Sequence, residues 1–300
     1  MQIGIDLGAS KIESVLLDKD GKEHFREREV SPHDYSETLI SIVKIVNNIE
    51  KKFNNNFNVG VGHPGSTNVQ TGLLSNANNS PWMNNEFFQK DISKKLNRNV
   101  YCENDANCFA LSEATDGFAS QHNVVFGVIL GSGCGGGLVI DKKIITGSNN
   151  YSGEWGHNAL PFYGNLNDES LDVFSGVLYP NINIEKFISG KGLESLYFEK
   201  FNKTKTAKEI FLNANNHEEF IKNFYNRLAR SLSVLINTID PDAIVFGGGV
   251  SNEITDLDFI KEMSFNFAGK KNIKTNFLKA KFGDASGVRG AALLGRSISI

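Results

Sequence analysis

Gly131-Ser132-Gly133-Cys134-Gly135-Gly136-Gly137 is the stretch on which the choice of fold turns. Gly131, Gly133 and Gly136 match G-x-G-x-x-G, a pattern that marks a dinucleotide site only where it opens a helix. Here the run leads into Leu138-Val139-Ile140 and follows Val124 to Leu130, both strand patterns, so a hairpin is predicted and the dinucleotide fold is rejected. No G-x-x-x-x-G-K-[ST] occurs, which removes the ordinary P-loop. Six of the chain's 29 glycines fall between Gly127 and Gly137, and Gly247, Gly248 and Gly249 form a second run. Such clusters mark close backbone approaches.

Outward from this loop the chain reads as two α/β halves. Ile3 to Leu7 and Ile12 to Leu17 are strands joined by a turn at Gly8-Ala9-Ser10, with Glu23 to Val30 as a third strand. From Tyr35 to Phe53, Leu39, Ile42, Val43, Ile45, Val46 and Ile49 recur at helical spacing. A buried strand at Val59 to Gly62 ends at His63-Pro64-Gly65. Another, Asn99 to Cys102, runs through Glu103-Asn104-Asp105 into a helix at Ala106 to Glu113. The second half pairs Val124 to Leu130 with Gly137 to Ile140. It then offers its longest helix at His217 to Ile239, a short strand at Ala243 to Phe246, and a helix at Val288 to Gly295. Two halves that each open with strand-turn-strand imply a duplicated architecture with a cleft between them.

Composition narrows the function classes. Three hundred residues suffice for one large or two medium domains without staples. With 31 Lys and Arg against 34 Asp and Glu, the net charge of −3 provides no field for a polyanion, so nucleic acid is not an expected partner. Cys102, Cys108 and Cys134 are the only cysteines and contain no C-x-x-C pair, which argues against a disulfide scaffold or a thiolate-rich zinc site. Met1 runs straight into a strand pattern and no apolar run reaches the roughly 18 residues of a membrane helix, so a cytoplasmic chain without a membrane partner is expected.

Three glycine turns follow predicted strands: Asp6-Leu7-Gly8-Ala9-Ser10-Lys11, Gly131 to Gly137, and Gly247 to Gly249. Each alone reads as a tight turn; together they favour phosphate binding by backbone amides. Asp105, at a strand-to-helix junction, is the candidate general base, although a helix cap is the plainer reading by spacing alone. Glu154 and His157, three residues apart around Gly156, offer acceptors and a donor suited to a polyhydroxylated ligand. Glu185 by itself reads as a solvated helix charge.

Asp6 to Lys11, Glu103 to Phe109, Gly131 to Gly137, Gly153 to Asn158, Phe187-Ile188-Ser189-Gly190 and Gly283 to Gly290 together resemble the ROK family of bacterial sugar kinases. Thr71 to Ser80 with Trp82, and Glu154 to Asn158, are most similar to its fructokinase branch, with the N-acetylglucosamine kinase branch nearest to that. The resemblance implies an actin-like ATPase (ribonuclease H-like) fold of two α/β domains flanking an active-site cleft, here 1–117 with 285–300 and 118–284. It implies ATP-dependent phosphorylation of a hexose 6-hydroxyl, with fructose as the leading substrate and N-acetylglucosamine or another hexose as the alternative. A catalytically degraded sugar sensor is the non-enzyme alternative. Asp105 would be the base, and Gly65, Asn78, Asn104, Glu154, His157 and Glu185 would hold the sugar. Gly8, Ser10, Lys11, Ser132, Gly133, Gly247, Gly248 and Gly249 would contact ATP, and Asp6 would help hold Mg²⁺. ROK repressors begin with a helix-turn-helix that this sequence does not show. Family members are often dimers, and no residue here identifies an interface.

One departure accompanies the resemblance. Many members bind zinc through the histidine of E-x-G-H and three cysteines, whose places read back from Glu185 fall on Gly176, Leu178 and Asn183. No structural zinc is therefore expected. Packing by Phe162, Tyr163, Leu171, Val173, Phe174, Val177, Leu178 and Tyr179 is expected to order that segment instead.

Overall fold

The computed structural model describes residues 1–164, 166–167, 169, 182–270 and 272–295. In chain order it begins with β1 (Gln2–Leu7), β2 (Lys11–Leu17), β3 (Glu23–Val30), α1 (Tyr35–Phe53), β4 (Asn58–His63), β5 (Ser66–Thr67) and β6 (Leu74–Ser75). Then come α2 (Phe88–Leu96), β7 (Val100–Asn104), α3 (Asp105–Thr115), β8 (Val124–Leu130), β9 (Cys134–Ile140) and β10 (Lys143–Ile145). The remainder is α4 (Ile184–Ile188), α5 (Gly190–Phe201), α6 (Ala207–Leu212), α7 (Glu218–Ile239), β11 (Ala243–Gly247), α8 (Gly249–Glu253), α9 (Leu257–Ala268), β12 (Asn276–Lys279) and α10 (Ser286–Leu294).

One five-stranded sheet runs β3-β2-β1-β4-β7, the other β10-β9-β8-β11-β12. In the first, β1 to β3 are an antiparallel meander, and β4 and β7 join parallel to β1. In the second, β10 pairs antiparallel with β9, while β8, β11 and β12 are parallel. The same order in both sheets is the duplication expected from the two strand-turn-strand openings.

The chain divides into two compact units: residues 1–120, 137–152 and 281–300, and residues 121–136 and 153–280. In the first, α1 buries Leu39, Ile42, Ile45, Val46 and Ile49 against the sheet, as its spacing predicts. Asp34 caps its start by accepting from the Glu37 N–H at 3.0 Å. α10 lies almost in backbone contact with the sheet and with α3. A Cβ at Gly60 would stand 1.9 Å from the Ala291 carbonyl oxygen, and one at Gly290 would stand 1.7 Å from that of Cys108. Only glycine permits this approach.

In the second unit, α7 buries Phe220, Ile221, Phe224, Leu228, Leu232, Leu235 and Ile236. Its buried face also carries Arg227 and Arg230, which apolar spacing does not foresee. Both meet Glu169, whose carboxyl is held below the ordinary range: burial opposes ionisation, and the two guanidiniums outweigh it. Of the apolar residues expected to order the segment from Phe162, Phe162 is 55% exposed and stacks on Phe267 at 5.7 Å, and Tyr163 meets Phe187 at 5.7 Å. Leu171, Val173, Phe174, Val177, Leu178 and Tyr179 lie outside the described residues.

Candidate active site

Asp105 is the first residue of α3, and its carboxylate is exposed. Two side chains cap the helix start: Asn104 Oδ1 accepts from the N–H groups of Ala106 at 2.9 Å and Asn107 at 3.4 Å, and Asp105 Oδ1 accepts from the Ala106 N–H at 2.8 Å. Asn104 Nδ2 donates to the Gly65 carbonyl oxygen at 2.9 Å. Asn104 and Gly65, both expected to hold sugar, are thus bonded to each other. Gly65 has φ of 78°, and a Cβ there would stand 2.3 Å from the Ser75 carbonyl oxygen, so a side chain is excluded by both strain and space. Asn78 is exposed in the turn after β6.

Sheet register brings the charges together. Arg28, Glu13, Asp6, Gly62 and Glu103 are successive partners across β3, β2, β1, β4 and β7, so they share one face. Glu13 is buried and accepts from Arg26 Nε at 2.6 Å and Arg28 Nε at 2.7 Å. Burial, then Asp105 and Glu13, push the Asp6 carboxyl up to about 7, against smaller pulls from Lys11 and Arg28. A Cβ on Gly287, in the first turn of α10, would stand 2.9 Å from Asp6 Oδ2. The Asp6 carboxylate is a hard oxygen donor of the kind that suits Mg²⁺, which takes the rest of its shell from phosphate and water. The turn after β1 closes with the Gly8 N–H donating to the Lys11 carbonyl oxygen at 2.9 Å, with Ser10 and Lys11 exposed.

In the second unit β9 begins at Cys134, so Gly135 and Gly136 are strand residues and the turn is only Gly131 to Gly133. The third glycine of the fingerprint therefore opens no helix, which agrees with the hairpin reading. Glu185, expected at the sugar, accepts from the Cys134 N–H at 2.9 Å, and a Cβ on Gly133 would stand 2.9 Å from its Oε2. The Gly190 N–H donates to the Gly131 carbonyl oxygen at 2.7 Å. Ser132 is exposed at the tip. Glu154 and His157 flank a single 3₁₀ turn with Oε2 and Nε2 3.4 Å apart, both accessible. Gly247 ends β11, Gly248 has φ of 88°, and Gly249 opens α8.

Sequence reasoning missed three buried carboxylates. Glu13 and Glu169 bind paired arginines, and Glu113 accepts from the Lys281 N–H at 3.1 Å and from Ser286 Oγ at 2.7 Å. Lone glutamates in helix and strand patterns carry no signal of burial, although the Arg26-x-Arg28 pair in β3 could have suggested an acidic partner.

The ROK family profile matches residues 2–298. The chain belongs to the ROK family of sugar kinases. Among curated ROK relatives, the N-acetyl-D-glucosamine kinase of Histophilus somni (strain 129Pt) is 36% identical over 305 residues, covering 98% of each chain. That of Haemophilus influenzae (strain 86-028NP) is also 36% identical, covering 98% of this chain and 99% of its own. Among solved structures, a ROK hexokinase from Thermus thermophilus superposes with a TM-score of 0.82 at 22% identity, over 98% of this chain and 97% of that one. A ROK glucokinase from Streptomyces griseus, in complex with glucose and AMPPNP, gives 0.74 at 22% identity, over 98% and 99%. The fold is the actin-like ATPase fold that the resemblance implied.

The family's zinc does not fit this ROK chain. Asn183, at one cysteine place, caps α4 by accepting from the Lys186 N–H at 3.0 Å; Gly176 and Leu178 lie outside the described residues, and neither side chain is a zinc ligand. Among the described residues no three His, Cys, Asp or Glu side chains gather to hold a metal. Among them, too, no helix is long and apolar enough to cross a membrane.

Proposed function

We propose that this ROK kinase transfers the γ-phosphoryl group of ATP to the 6-hydroxyl of N-acetylglucosamine. The observation that carries the reading is 36% identity over nearly the whole length of two curated N-acetylglucosamine kinases. The substrate expectation accordingly moves from fructose to the alternative, because the curated relatives at 33–36% identity are N-acetylglucosamine kinases rather than fructokinases.

Asp105 accepts the proton of the sugar 6-hydroxyl as its oxygen bonds to the γ-phosphorus and the bond to the ADP oxygen breaks. Asn104 shares the capping, its Oδ1 and Asp105 Oδ1 both accepting from the Ala106 N–H at 2.9 and 2.8 Å, and the Asp105 carboxylate is exposed at the helix start. Glu154 and His157 take sugar hydroxyls, with Gly65 and Asn78 lining the pocket. Glu185 braces the Gly131 to Gly133 turn as well as reaching the sugar. The turns at Gly8 to Lys11 and Ser132-Gly133 hold phosphates, and Gly247 to Gly249 hold adenosine. Asp6 would hold Mg²⁺, which would neutralise phosphate charge. The chain works in the cytoplasm on a soluble sugar.

Steady-state kinetics with Mg-ATP and N-acetylglucosamine, N-acetylmannosamine, glucose, mannose and fructose test the proposal. Highest kcat/KM for N-acetylglucosamine is expected. Preference for fructose, or calorimetric sugar binding without turnover of any hexose, overturns it.

A further inference from the structure

α7 carries two arginines on the face it buries, Arg227 at 1% and Arg230 at 0% side-chain exposure. One buried carboxylate serves both. Glu169 Oε1 accepts from Arg227 Nε at 3.0 Å and from Arg230 Nη2, while Oε2 accepts from Arg230 Nη1 at 3.2 Å and from the Gly164 N–H at 2.9 Å. Arg230 Nη1 also donates to the carbonyl oxygens of Pro161 at 3.0 Å and Phe162 at 2.8 Å. Taking three charges out of water is costly, and a well-packed apolar trio often stabilises a fold as well or better. Bulk stability is therefore a poor reason for this cluster. Charged forks supply direction, because a guanidinium fixes the oxygens it donates to in a set plane.

The directions lead to the sugar side of the site. Pro161 and Phe162 follow a segment laced to the start of α4 by Leu160 N–H to Ile182 O at 2.7 Å and Ile184 N–H to Asn158 O at 2.8 Å. That segment continues from the Trp155-Gly156-His157 turn. On the other side, the Arg227 guanidinium lies 5.2 Å over the ring of Phe187, which Tyr163 also meets at 5.7 Å. Phe187 sits two residues beyond Glu185, whose carboxylate receives the Cys134 N–H. Both of these routes lead to the site residues, one to Glu154 to His157 and the other to Glu185.

We infer that Glu169, Arg227 and Arg230 are positioning residues that hold the Glu154–His157 turn and Glu185 in register for the sugar, an inference that rests on the kinase reading above. The decisive variant combines Glu169→Leu, Arg227→Met and Arg230→Met, which removes the charges while keeping an apolar core. It is expected to fold with a circular dichroism spectrum like the parent's, to raise KM for N-acetylglucosamine at least about tenfold, and to keep kcat within about threefold. In hydrogen exchange the amides of Leu160, Gly164 and Ile184 should lose protection while those of β4, in the first unit, keep theirs. The single variant Glu169→Asp retains a carboxylate and should recover most of the sugar affinity that Glu169→Gln loses. A triple variant with parental KM and parental exchange overturns the inference, as does one that fails to fold, since the cluster is then simply part of the core. If the parent protein phosphorylates no sugar of the panel, the kinase reading fails and exchange alone decides: unchanged protection at those three amides overturns the positioning role, and lost protection supports it.

Discussion

The side-chain amide of Asn104 bonds the Gly65 carbonyl oxygen at 2.9 Å while its oxygen caps α3. One residue therefore fastens the turn after β4 to the helix that presents Asp105. Replacing Asn104 with alanine should cost about 1 to 2 kcal/mol for the lost cap and about 1 kcal/mol for the Gly65 bond. Asn104→Asp keeps the capping oxygen and should lose less. Urea unfolding midpoints of the two variants check the order.

Asp105→Asn keeps the shape of the helix start and removes the proton acceptor. We expect kcat to fall about 10²- to 10⁴-fold with the unfolding midpoint near that of the parent. Steady-state kinetics read the first and thermal unfolding the second. A rise in sugar KM with kcat intact would contradict the assignment of the base.

Two groups in the first unit should titrate against each other. Burial pushes His63 down to about 4 from an ordinary value near 6.5, so the unfolded chain takes up its proton first and stability falls as pH drops through that window. Asp6 is raised to about 7 from 3.8, chiefly by burial and then by Asp105, so the folded chain holds the extra proton and stability falls as pH rises. Between about pH 4 and 6.5 the two contributions oppose one another. Without Mg²⁺, stability plotted against pH should have a slope lower than the parent's by up to about 1.4 kcal/mol per pH unit in His63→Gln, and higher by a similar amount in Asp6→Asn. Urea midpoints across that range measure both slopes, and parallel curves would show that neither group titrates as described.

Gly290→Ala would drive a methyl group into the Cys108 carbonyl oxygen, since the Cβ position lies 1.7 Å from it. Backbone cannot swing aside like the end of a long side chain, so the cost should reach about 3 kcal/mol, the upper part of the usual overpacking range. Gly249→Ala, where no atom stands within 4 Å of the new Cβ, is the control and should change the thermal midpoint little.

The parts of the fold legible in the sequence were those written as periodicity or as turns. The α1 face from Leu39 to Ile49 and the hairpin at Gly131 to Gly133 are both of that kind. The Asp105 junction was legible as a location, yet its division of labour was not: how Asn104 and Asp105 share the cap depends on side-chain rotamers that spacing leaves open. Glu169 and its arginines lie beyond a periodic reading for another reason. Glu169 sits 58 residues from Arg227 and 61 from Arg230, and a charged residue on an otherwise apolar stripe looks like an interruption until its distant counterion is in place.

β3 has a consequence for assembly. It is the outermost strand of its sheet, exposed along most of its length, and it reads Glu-His-Phe-Arg-Glu-Arg-Glu-Val. A second chain adding a strand there would have to strip water from Glu27 and Glu29 and compete for the guanidiniums that Glu13 already holds. The arginines that neutralise a buried acid thus also put fixed charge along an open edge, which disfavours strand addition there.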